Sequence, residues 1–232
     1  MNLFQLSKVS KEHFLGSVKL RSLQQIDLNI EKGKITSIMG PEASGKSQIL
    51  HLLALNDIPT EGELIYKGRN LQNFDEKQMS KIRTFEVGIV PQSFHLNSTV
   101  SILENVSMVS KIMGEDNWMA REKAEFWLKK MGLLHNANDY PIELGLLEFK
   151  KVGIAKAMIK KPDFLIVDEL YAHLNEQECD DLFNILYNLN KEYNLTIIQA
   201  TRRLSYCRYS DVIYQMNNGK CHLQKSDEAT AA

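Results

Sequence analysis

The segment Gly40-Pro41-Glu42-Ala43-Ser44-Gly45-Lys46-Ser47 fits G-x-x-x-x-G-K-[ST], a spacing whose chemistry is the capture of a polyphosphate. Small residues let the loop's backbone N–H groups turn toward phosphate oxygens, and a helix starting near Lys46 adds its positive end to the grip. Lys46 is then expected to reach the β- and γ-phosphates of ATP, with Gln48 in the same helical turn, and the Ser47 hydroxyl to meet the Mg²⁺ that bridges those phosphates. The plain alternative is an ordinary strand-to-helix turn. The context argues against it, because Ile35–Met39 reads as a buried strand running straight into this loop.

A second constellation lies downstream. Phe164-Leu165-Ile166-Val167-Asp168-Glu169 is an apolar strand ending in two carboxylates, which brings acid to the C-terminal edge of a sheet. Asp168 is placed to hold Mg²⁺ through water, and Glu169, pointing differently, to take a proton from an attacking water. Many strands end in acids merely to meet solvent, so this run gains its meaning from the phosphate loop.

The elements that must position these residues follow from periodicity. Leu3–Leu6, Leu23–Ile30, Gly62–Tyr66, Glu86–Val90, Thr196–Ala200 and Val212–Met216 read as strands, and Asn217-Asn218-Gly219-Lys220 as a hairpin turn before Cys221–Gln224. Between Gln92 and Pro141 the spacing turns helical, with helices expected over Leu103–Ile112 and Trp118–Met131, the second opened by Asn117 and closed at Gly132.

The chain has 232 residues, 44% hydrophobic and 25% charged, which suits one α/β unit with a smaller lobe. A net charge of −1 offers no attraction to nucleic acid or an anionic membrane surface, so no nucleic-acid partner is expected. Met1–Leu6 lacks a signal-peptide layout and no apolar run is long enough to span a bilayer, so a cytosolic chain is expected. Cys179, Cys207 and Cys221 have no metal-ligand spacing and are assigned no chemistry.

In order, the phosphate loop, Val90-Pro91-Gln92, a helical insert and Asp168-Glu169 resemble the ATP-binding-cassette family of transporter ATPases. His51-Leu52-Leu53, Asp57-x-Pro59-Thr60-x-Gly62 and Glu104-Asn105-Val106 are similar to its lipoprotein-releasing, macrolide-exporter and cell-division branch. The resemblance implies an α/β P-loop NTPase core, a RecA-like mixed sheet with flanking helices, joined by an antiparallel β subdomain and a small α-helical subdomain. It divides the chain into a core over 1–91 and 162–225, a helical lobe over 92–161 and a flexible tail over 226–232. It implies Gln92 as a sensor of γ-phosphate and metal, and an aromatic under the adenine near His13-Phe14. The implied partners are membrane-embedded permease subunits and a second cassette, the same chain or another, on the cytoplasmic face of the membrane.

The departures are as informative. Where the family's signature serine and paired glycines belong, this chain reads Leu144-Gly145-Leu146-Leu147-Glu148. Arg202 stands in place of the histidine that contacts the γ-phosphate, so it is a catalytic candidate or a residue that ties up Glu169. Leu170-Tyr171 replace proline and threonine, Asn175 replaces an aspartate, and Glu42 is an acid beside expected phosphates. Slow Mg-dependent ATP hydrolysis coupled to a membrane partner is therefore the first expectation; a nucleotide-responsive pseudo-ATPase scaffold is the alternative.

Overall fold

The computed structural model describes residues 1–16 and 18–224, without the side chains of Phe14, Leu15, Val18 and Lys19. Stacking of Phe14 on a base and the loose tail over 226–232 lie outside what is described.

β1 (Asn2–Leu15) and β2 (Val18–Glu31) form one long antiparallel hairpin. The expected strands Leu3–Leu6 and Leu23–Ile30 were too short. Lys8 and Gln25 sit at positive φ, 50° and 49°, and the register shifts between Leu6 and Val9 and again before Lys11. The bulge at Lys8 resets the period-2 alternation, so β1 reads as ended where it only kinks, whereas the reading of β2 runs through Gln25 and misses its first residues. β3 (Ile35–Met39) leads to α1 (Lys46–Leu53), then β4 (Glu61–Tyr66), β5 (Arg69–Asn70), α2 (Glu76–Phe85) and β6 (Val87–Val90). α3 (Ile102–Ile112), α4 (Asn117–Lys130) and α5 (Leu146–Met158) follow, and the chain returns through β7 (Phe164–Asp168), α6 (Glu176–Tyr193), β8 (Thr196–Thr201), β9 (Val212–Asn217) and β10 (Lys220–Leu223).

Among the described residues there are two sheets. One is antiparallel, ordered β2-β1-β4-β5; the other is mixed, ordered β10-β9-β3-β8-β7-β6, with β9, β3, β8, β7 and β6 parallel. β3 and β8 are buried at every position because both faces of this sheet are covered. On one face Ile38, Ile166, Ile198 and Ala200 join α1 and the antiparallel sheet in a core; on the other Leu165, Val167 and Ile197 join a core with α3, α4, α5 and α6. The mixed sheet with its helices is the α/β P-loop arrangement that the resemblance implied.

Caps explain several boundaries. α4 is capped by Asp116, not by Asn117 as the sequence suggested: the Asp116 carboxylate accepts from Trp118 N and Met119 N, each at 2.9 Å. The aspartate wins because an Ncap acceptor must lie in extended backbone, and its φ −67°, ψ 163° supply that. Ser101 and Glu104 form a reciprocal capping box at α3, and Asn175 and Glu178 one at α6. Asn217 pairs with Lys220 across the two-residue turn Asn218-Gly219, both at positive φ, as the Asn-Gly signal required.

Candidate active site

The parallel register builds the site. Met39 is level with Thr201 and Asp168 with Ala200, so the loop after β3, the acids closing β7 and the residue after β8 emerge at one sheet edge. Gly40 N donates to Thr201 O at 3.1 Å and Glu169 N to Ala200 O at 3.0 Å, which pins both strand exits to β8.

Two glycines are obligatory in the loop. Gly45, the Ncap of α1, has φ 102°, and a Cβ there would lie 2.8 Å from Ser22 O. A Cβ on Gly40 would lie 2.4 Å from Met216 O. Sequence reading took Gly219 only as a turn residue, yet its N–H donates to Ser44 O at 2.9 Å, so the β9–β10 turn props the phosphate loop from behind. No local signal could have shown this, because the contact depends on β9 lying beside β3.

Lys46 is 6% exposed and its Nζ donates to Gly40 O and Pro41 O, both at 2.7 Å, with Glu169 Oε1 at 3.6 Å. Burial holds its pKa below the ordinary lysine value, against the pull of Glu169. The Ser47 hydroxyl faces Asp168 Oδ2 at 3.4 Å. Burial raises the Asp168 pKa above the usual carboxylate range, only partly opposed by Ser47 and Lys46. Asp168 Oδ1 and Ser44 Oγ are buried without a partner. An orphaned carboxylate oxygen beside a serine hydroxyl fits a small hard cation, since Mg²⁺ takes oxygen ligands and keeps several waters.

Glu169 is buried and sits at φ 46°. Its Oε1 accepts from Arg202 Nε at 3.2 Å. The Arg202 fork faces Glu42, with Nη1 3.3 Å from Oε2 and Nη2 3.4 Å from Oε1. Glu42 itself is exposed. Gln92 lies exposed just past β6 and makes no side-chain hydrogen bond or ion pair among the described residues. His13 is carried to α1 by the long hairpin, where its Nε2 lies 3.0 Å from Gln48 Oε1; Gln48 Nε2 donates in turn to Asp57 at 3.0 Å. A cavity of about 520 Å³ between α4 and α6, lined by Lys130, Ile185 and Glu192 among others, touches none of these residues.

A glycine-cradled loop, a lysine and serine opening a helix, and two carboxylates on the adjacent strand end agree with the family comparison. The family description "ABC transporter" matches residues 23–172. The chain belongs to the ABC transporter family. It is an ATP-binding subunit of the type whose members are ATPases. It is 31% identical over 224 residues to the "Lipoprotein-releasing system ATP-binding protein LolD" of Buchnera aphidicola subsp. Schizaphis graminum, covering 97% of this chain and 98% of that one. Among solved structures it is similar to the dimeric cassette MJ0796 "bound to ADP and Pi", with TM-score 0.87, 28% identity and coverage of 96% and 98%. It is also similar to cbiO1 of Clostridium perfringens, described as part of the ABC transporter complex cbiONQ, with TM-score 0.88, 25% identity and coverage of 98% and 89%. Nothing in these likenesses favours a cassette that lacks turnover. No helix among the described residues is long and apolar enough to cross a membrane.

Proposed function

We propose that this cassette binds Mg-ATP in the loop Gly40–Ser47 and hydrolyses it slowly while serving membrane-embedded permease subunits on the cytoplasmic face. The observation that carries the reading is the convergence of Lys46, Ser47, Asp168 and Glu169 at one sheet edge, two of them buried and one with an unpartnered oxygen. Lys46 exchanges the Gly40 and Pro41 carbonyls for phosphate oxygens, while the amides of the loop and of α1 donate to the same anion. Ser47, Asp168 and, from its exposed loop, Gln92 would hold Mg²⁺; the ion, when bound, neutralises charge on the β- and γ-phosphates. Glu169 accepts the proton of the attacking water as the bond from the γ-phosphorus to the β-bridging oxygen breaks. His13, held against Gln48, would lie beside the adenine, with Phe14 next to it in the chain.

Two cassettes are inferred to close head to tail, and the likeness to a dimeric cassette supports this. The N-terminal end of α5 then faces the partner's nucleotide with Leu146 and Leu147 instead of bare amides and a hydroxyl. Residues 92–161 are taken as the helical lobe, 1–91 and 162–225 as the core. The mostly exposed segment between β6 and α3, near Gln92–Val100, is taken as the place where a cytoplasmic permease helix docks.

Thermal unfolding tests the site. Nucleotide at about 100 times its Kd contributes about 2.7 kcal/mol to the folded state, which raises the Tm of a chain this size by roughly 5–10 °C. Lys46→Ala should remove that rise, and Glu169→Gln should keep it while removing turnover. A wild-type Tm indifferent to Mg-ATP and Mg-ADP would sink the reading.

A further inference from the structure

Sequence reading left two oddities as separate facts: an acid inside the phosphate loop, and an arginine after β8. The structure joins them. The Arg202 fork meets both oxygens of Glu42 at 3.3 and 3.4 Å, and the same guanidinium gives its Nε to Glu169 at 3.2 Å. The residues are 160 apart in the chain and are neighbours because β3 and β8 run side by side.

The electrostatics give the pair a purpose. Around the place for phosphates stand three carboxylates, Glu42, Asp168 and Glu169, against two cations, Lys46 and Arg202. A nucleotide polyphosphate adds several negative charges, and an unpaired carboxylate at position 42 would repel them across the loop. The Glu42 side chain is 79% exposed and that of Arg202 43%, so their contact contributes little to the stability of the fold. Its effect falls instead on whatever anion enters beside it. A planar guanidinium with five donors can serve two carboxylates at once; a histidine lacks the span and a lysine the fork.

We propose that Arg202 is a positioning residue that neutralises Glu42 and so keeps the phosphate loop open to an anionic nucleotide, the two departures forming one compensating pair. The inference rests on the nucleotide reading of the loop and adds to it a chain-specific reason for arginine at this position.

A double-mutant cycle decides it. Affinity for ADP and for ATP, each with Mg²⁺, is measured by titration calorimetry on the full chain for wild type, Glu42→Gln, Arg202→Gln and the double variant. Arg202→Gln should weaken binding by about tenfold, the order of effect of one uncompensated charge in partly screened surroundings. The double variant should return to within about threefold of wild type. The Arg202→Gln loss should shrink as salt rises, and the nucleotide-free Tm of Glu42→Gln should equal that of wild type, because the Glu42 contact is exposed. An equal loss from Arg202→Gln whether position 42 is Glu or Gln would overturn the pairing, as would a loss insensitive to salt. A wild-type chain that bound neither nucleotide would fell the underlying reading, and the pairing's role with it.

Discussion

Among the described residues two α-helices open on a glycine, and the two glycines do opposite things. Gly45 caps α1 at φ 102°, ψ 3°, wedged so closely that a Cβ would meet the Ser22 carbonyl and the Met216 methyl. Gly145 caps α5 at φ −69°, ψ 170°, which any residue adopts, and only the free end of the Glu148 side chain stands where its Cβ would go. The first glycine is demanded by backbone geometry, because the loop must bend tightly and leave its amides bare. The second meets no such demand. Loss of the family serine at position 145 is therefore not a requirement of this fold, and the two Leu that follow are not forced by a crowded core: Leu146 is exposed and Leu147 only partly buried.

The widest gap between the two caps should appear when the same substitution is placed at each. Gly45→Ala puts a side chain in the left-handed region against fixed backbone, a strain of about 1–3 kcal/mol, or roughly 2–12 °C of Tm in a chain of this length. Gly145→Ala should cost only about 0.5–1 kcal/mol, the difference between glycine and the poorer cap alanine, because the backbone there is unstrained. Equal losses in thermal or urea unfolding would break the comparison.

Next in size is the leucine pair. Leu147 packs against the core shared by α3, α5 and β7, so Leu147→Ala should cost about 1–2 kcal/mol, below the range for a fully buried leucine. Leu146→Ala should cost less than about 0.5 kcal/mol. If Leu146 proved the costlier residue, the end of α5 would have to be buried against something other than its own chain.

The phosphate loop and the carboxylate pair were legible in the sequence because strand, loop and helix signals coincide with residue spacing. Other parts were not. α2 buries only Ile82, so it leaves no apolar period to read, although its Asp75–Gln78 capping box is present in the residues. β1 hid its length behind the bulge at Lys8. Asn175, read as a lost aspartate, also turns out to cap α6. The Glu42–Arg202 contact and the Gly219 prop arise from strand adjacency, which no local window contains.

A third test uses pH at the α1 side. Asp168 has its pKa raised by burial, so its charged form is the disfavoured one in the folded chain. For the fold the sign is that this group's contribution is most favourable when protonated and falls as pH rises through its pKa. For Mg²⁺ the sign reverses, since the ion needs the carboxylate. The gain in ADP affinity on adding Mg²⁺ should therefore fade on acidification, beginning above pH 3.8, the ordinary carboxylate value, and Asp168→Asn should show little gain at any pH. A gain that persisted unchanged in Asp168→Asn would remove Asp168 from the metal site.

The smallest effect is expected for Gly145→Ser, which restores the family's residue at the end of α5. The backbone at φ −69°, ψ 170° is that of an ordinary Ncap, and no side chain caps α5 at present, so a serine hydroxyl gains an amide to accept from. Against this, its Cβ would fall 2.5 Å from Glu148 Oε2, and that carboxylate must swing aside. Because the obstacle is the far end of a flexible, half-buried side chain, the adjustment costs little, and serine exceeds glycine as a cap by only a few tenths of a kcal/mol. The Tm should therefore move by no more than about 1–2 °C in either direction. Turnover is the sharper readout. If α5 of one cassette completes the nucleotide site of the other, a new hydroxyl at position 145 should raise the ATPase rate of the assembled complex while leaving the nucleotide affinity of the isolated chain unchanged. A fall in Tm beyond about 5 °C would show that the cap of α5 is as constrained as that of α1, and the contrast between the two glycines would be lost.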